Sequence, residues 1–76
     1  MTRDDLQKKI RAEIINQVGI EAQMEGTRKF YDAAVLVGNN DLAQRYRDNL
    51  HTLLDAKLDS SASVMLLTRQ MTELPE

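Results

Sequence analysis

Cysteine and tryptophan are absent from this 76-residue chain, which holds one proline, three glycines, two tyrosines and one phenylalanine. Without cysteine no disulfide framework and no thiolate metal site can form, so a small secreted domain loses its main support and cytoplasmic residence is the default expectation. Long hydrophobic runs are missing too. The longest, Ala33 to Val37, falls far short of the roughly 20 residues that span a bilayer, and the N-terminus lacks the apolar stretch of a signal peptide. Neither predicted helix carries a strongly basic polar face, so no membrane contact is expected. An excess of one charge is also lacking. Ten basic and twelve acidic residues give a net charge of −2, with the signs interspersed, which argues against a nucleic-acid-coating role. Few aromatics and no helix-turn-helix spacing weigh against nucleic acid further.

What the chain does have is helical regularity. Its second half carries a heptad seam, Ala43, Tyr46, Leu50, Leu53, Lys57, Ser60, Val64, Leu67, Met71 and Leu74, in alternating steps of three and four. Thr2 and Asp5 have the spacing of a capping box, and Asp4 and Asp5 suit the positive end of a helix. Gly38 offers the left-handed conformation that closes a helix, and Asn39 or Asn40 can cap the next. These signals predict an all-α antiparallel hairpin, one domain over residues 1–76, with helix 1 over about 3–37 and helix 2 over about 41–74, ended by Pro75. Leu6, Ile10, Ile14 and Val18 form one stripe and Ile20, Met24, Tyr31 and Val35 another, so Gly19 between them marks the place for a kink. Asp59-Ser60-Ser61 could open a separate helix, but the heptad phase passes through it unchanged, which favours continuity.

Reflection through a plane between Asn39 and Asn40 pairs large residues with small ones. It predicts Tyr46 on Ala33, Leu53 on Gly26, Leu67 on Ala12 and Ala43 on Leu36. In that register helix 1 turns its small stripe, Ala12, Gly19, Gly26 and Ala33, to helix 2. Leu6, Ile10, Ile20, Met24, Tyr31 and Val35 then project away, and Leu54, Leu58 and Met65 lie beside the helix 2 seam. These nine residues form the candidate interface. A chain of this size seldom buries enough apolar surface to be stable alone, so self-association into a helical bundle is expected, a dimer closing a four-helix bundle first. The alternative is a three-helix monomer, broken at Gly19, whose first arm folds over the surplus.

Chemistry-bearing clusters are sparse. His51 shares part of a helical face with Asp48 and Asp55, too few ligands for a metal site, and neither Ser60 nor Ser61 stands in a nucleophile context. No enzyme activity, metal or cofactor is expected. Asp4–Lys8, Asp5–Lys9, Glu25–Lys29 and Asp41–Arg45 are predicted i, i+4 pairs. Across the hairpin, Glu21 falls near Lys57 and Asp32 opposite Arg47. Arg11 and Arg69 are left without partners at the open end, beside Lys8 and Lys9. Thr27, Arg28 and Lys29, with Tyr31 close by, combine groups that hold phosphate-bearing ligands.

Two functional expectations follow. The first is a non-enzymatic protein-interaction module, an adaptor, inhibitor or assembly factor, that pairs with itself and with another protein by helix packing. The second is an oligomeric sequesterer of a small anionic, nucleotide-like ligand held between subunits by Thr27, Arg28, Lys29, Arg47 and Arg69.

Overall fold

The computed structural model describes residues 2–74. Two helices, α1 (Arg3–Leu36) and α2 (Asn40–Glu73), fold back on each other as an all-α hairpin with extents of 59 × 14 × 12 Å. Each helix is 34 residues long and unbroken, α1 through Gly19 and α2 through Asp59-Ser60-Ser61. Pro75, expected to end α2, lies outside the described residues. Among those residues, no helix is long and apolar enough to cross a membrane.

Local hydrogen bonding accounts for both ends of α1 and the start of α2. Thr2 and Asp5 form both arms of the capping box: the Asp5 N–H donates to Thr2 Oγ1 (3.2 Å) and the Thr2 N–H to Asp5 Oδ2 (3.3 Å). At the other end of α1, Asn39 N–H donates to Ala34 O and Gly38 N–H to Val35 O, a Schellman motif with Gly38 at φ 76°. The Asn39 side chain then accepts from Leu42 N–H (3.1 Å) and caps α2. Asn39 thus closes one helix with its backbone and opens the next with its carboxamide. α1 stops one residue short of the expected end, because Val37 is its cap.

The heptad of α2 faces α1 as its spacing requires. Ala43 and Ser60 are buried, and the other eight positions are half-buried. The face of α1 corrects the mirror reading. Its inward residues are Leu6, Ile10, Glu13, Gln17, Ile20, Met24, Thr27, Tyr31 and Ala34, again in alternating steps of four and three. Ala12, Gly19 and Ala33 are exposed, and a Cβ at Gly19 or Gly26 would meet nothing within 4 Å. In water the gain comes from covering large apolar side chains, about 1.5–3 kcal/mol each when fully buried. Close approach of two backbones along a small stripe is a device for lipid, where that driving force is absent.

The register moves with the face. Glu21 with Lys57, Tyr31 with Arg47 and Gln17 with Ser61 have residue numbers adding to 78, and Phe30 with Tyr46 and Thr27 with Asn49 to 76, where the predicted plane requires 79. The centre of reflection therefore lies between Gly38 and Asn39. The two α1 stripes read from the sequence are segments of one seam. An i, i+4 path drifts about 40° per step around the helix, so Ile14 and Val18 leave the seam while Ile10 and Ile20 remain in it without any break at Gly19.

Between Ile10 and Ile20 the seam turns polar. Ser60 Oγ lies 2.6 Å from Glu13 Oε2, Gln17 Nε2 donates to Ser61 Oγ (3.4 Å), and Lys57 Nζ pairs with Glu21 (3.1 Å). Among the described residues no buried side-chain polar atom lacks a partner, so this belt fixes register without orphaned groups. The predicted pairs Asp4–Lys8 and Glu25–Lys29 are present, and Glu21 meets Lys57 as expected. Asp5 bonds Thr2, and Arg47 bonds Tyr31 where Asp32 was expected as its partner.

Candidate interaction surface

A two-helix hairpin has two open faces, and the contacts across the seam identify them. Glu21 reaches Lys57, Gln17 reaches Ser61 and Arg47 reaches Tyr31 on one face; Phe30 stacks on Tyr46 and Asn49 donates to Thr27 on the other. Residues seven apart lie in one column along a packed helix. Ile14 and Val35 therefore share the column of Glu21, and Leu54 lies between Arg47 and Ser61 in theirs. Val18 stands between Gln17 and Glu21, and Leu58 between Lys57 and Ser61, so the same two contacts bracket both.

Ile14, Val18, Leu54, Leu58 and Met65 are brought together on that first face. They are 48, 61, 44, 59 and 72 % exposed. An apolar cluster drawn from both helices, with the Gln17–Ser61 and Glu21–Lys57 contacts between its two halves, differs from scattered exposed residues, which every soluble protein carries. The second face carries Lys9, Asn16, Gln23, Asn49, Ser63 and Gln70 in its flanking columns together with Phe30, Val37, Leu42 and Ala56, and Leu66 stands beside them.

The predicted interface set divides. Val35, Leu54, Leu58 and Met65 are exposed. Leu6 is only 1 % exposed, and Ile10, Ile20, Met24 and Tyr31 are half-buried on the seam side. These five cover α2 of their own chain, because the larger stripe of α1 turned inward. Ile14 and Val18 enter the patch in their place. Their signal was in the sequence: each steps off the heptad path that Ile10, Ile20 and Met24 follow.

The predicted ligand set also divides. Arg47 Nη2 donates to the Tyr31 hydroxyl (3.1 Å) and its guanidinium lies 5.8 Å from that ring's centroid. Hydrogen bonding to the Tyr31 hydroxyl holds the guanidinium above its usual pKa. Arg28 shares this face, but Thr27 bonds Asn49 on the opposite one, and Lys29, on the outer side of α1, pairs with Glu25 in the column of Val18. Arg69 stands 22 residues beyond Arg47 on the same helix, about 33 Å away at about 1.5 Å per residue. The five do not converge on one pocket within a chain. His51 is exposed, and no group of three or more His, Asp or Glu converges among the described residues.

No family model, curated protein or solved structure matches this chain.

Proposed function

We propose that the chain is a non-enzymatic protein-interaction module that works as a homo-oligomer through helix packing, in the role of an adaptor, inhibitor or assembly factor. The observation that carries this reading is the apolar patch of Ile14, Val18, Leu54, Leu58 and Met65 on one face of a hairpin in which only four of the described residues are buried. Such a patch on so thin a core is unfavourable in isolation and supplies anchors for another helical surface. The anionic-ligand reading has less support, since its five residues are spread over both faces and most of the hairpin's length.

Sedimentation equilibrium at micromolar concentration tests the oligomer. A single species of 8.7 kDa would sink it. Thermal melting against a panel of nucleotides and phosphorylated metabolites tests the rival: a ligand at 100 times its dissociation constant adds about 2.7 kcal/mol, and an unchanged melt across the panel favours protein contact. Photocrosslinking from position 58 in the native host would then identify a heterologous partner.

A further inference from the structure

We propose that the occupant of this patch is a second copy of the chain, docked face to face and running in the opposite direction, with α1 on α1 and α2 on α2. The inference deepens the homo-oligomer reading and rests on it. Three observations select this arrangement.

The first is area. The chain exposes 5921 Å², whereas a folded monomer of its mass exposes about 4,700 Å². Its radius of gyration is 17.2 Å, against about 11 Å for a compact chain of this length. A standard interface covers about 800 Å² per partner, so one docked copy removes most of the excess.

The second is position. Val18 and Leu58 lie close to the midpoints of α1 and α2, with Ile14 and Met65 to one side and Leu54 to the other. A two-fold axis crossing the helices at the level of Val18 and Leu58 sets Val18 on Val18 and Leu58 on Leu58 of the second copy, with Ile14 at the level of Ala22, Leu54 at that of Ala62 and Met65 at that of His51, and closes a four-helix bundle.

The third is charge. Arg11 and Glu25 lie in the column of Val18, seven residues to either side. Rotation about the crossing axis sets Arg11 opposite Glu25 of the second copy, twice. Were the axis parallel to the helices, both turns would lie at one end. Arg11 would then lie at the level of Met65 to Leu67 of the other copy, where α2 has no acidic residue.

The test combines sedimentation with variants whose helicity is checked by circular dichroism. The native chain is expected to sediment at twice 8.7 kDa. Leu58→Glu should raise the dimer dissociation constant at least about tenfold, and Leu66→Glu on the opposite face should leave it unchanged. Arg11→Glu and Glu25→Arg should each weaken the dimer several-fold, and the two together should restore it. Val18→Cys should form an interchain disulfide on oxidation, and Ala12→Cys should not. Should substitution at Leu58 unfold the chain, the Val18→Cys cross-link still decides.

A native monomer would overturn both this inference and the homo-oligomer reading. A dimer broken by Leu66→Glu and unaffected by Leu58→Glu would overturn this face alone. A dimer that persists without the Val18→Cys cross-link would overturn the crossing axis.

Discussion

Ser60, only 4 % exposed, reaches across the hairpin to Glu13, with its hydroxyl 2.6 Å from the carboxylate and 3.4 Å from the backbone carbonyl. A polar pair at this depth, in the middle of two apolar seams, contributes more to register than to stability. Replacing Ser60 by Ala leaves a half-buried carboxylate without its partner and should cost about 1–2 kcal/mol in urea unfolding. The double change Glu13→Leu with Ser60→Ala should recover that loss, since an apolar pair replaces the polar one. A double variant less stable than Ser60→Ala alone would contradict this account.

Lys57 occupies a seam position, with its ammonium 3.1 Å from Glu21 and its side chain 37 % exposed. Lys57→Leu should extend the apolar seam of Leu53 and Val64 and raise unfolding stability by about 1 kcal/mol. The same change removes a register device, as lone polar seam residues are. Amide NMR spectra should therefore show broadened or doubled signals near the middle of both helices. A sharper spectrum than that of the native chain would show that Lys57 specifies nothing.

Gly19 and Gly26 stand within α1 without a packing reason, since an added Cβ meets nothing within 4 Å at either. Gly19→Ala and Gly26→Ala should each stabilise the helix by about 1 kcal/mol, measured as a rise in urea midpoint at constant slope. Gly38 behaves oppositely, because its φ of 76° costs an L-residue about 1–2 kcal/mol. Gly38→Ala should thus lower the midpoint. The mirror reading made Gly26→Leu a clash with Leu53; in this register the position accepts a side chain.

Asp5 has its pKa lowered by hydrogen bonding with the Thr2 hydroxyl and then with the Thr2 backbone N–H. A carboxyl lowered in the folded state contributes stability that is fully present above the unfolded value of about 3.9 and lost as pH falls through the lower folded value. Stability should therefore decline below about pH 4 as the α1 cap is protonated. Thr2→Ala should cost about 1 kcal/mol at neutral pH and flatten the acid limb of the stability profile. An identical acid limb in both proteins would mean that the cap does not titrate as argued.

The patch was partly legible before the fold was known. Leu54, Leu58 and Met65 sit one helical step off an unambiguous heptad, so their exposure follows from spacing alone. Ile14 and Val18 were harder to place, because α1 offers a large and a small stripe and either can be written against α2.

Helix limits, the Gly38 turn and the inward face of α2 are decided by interactions within a few residues: a cap, a left-handed glycine, a run of threes and fours. Such interactions are complete inside the segment that encodes them. The inward face of α1, the register and the joining of Ile14 and Val18 to Leu58 depend on contacts between residues some 16 to 47 apart. Those contacts are settled by the summed burial along both helices, with the Glu13–Ser60, Gln17–Ser61 and Glu21–Lys57 pairs selecting one alignment. No single stretch of the chain contains that sum, so tertiary packing alone turned the large stripe of α1 inward and left the small one in water.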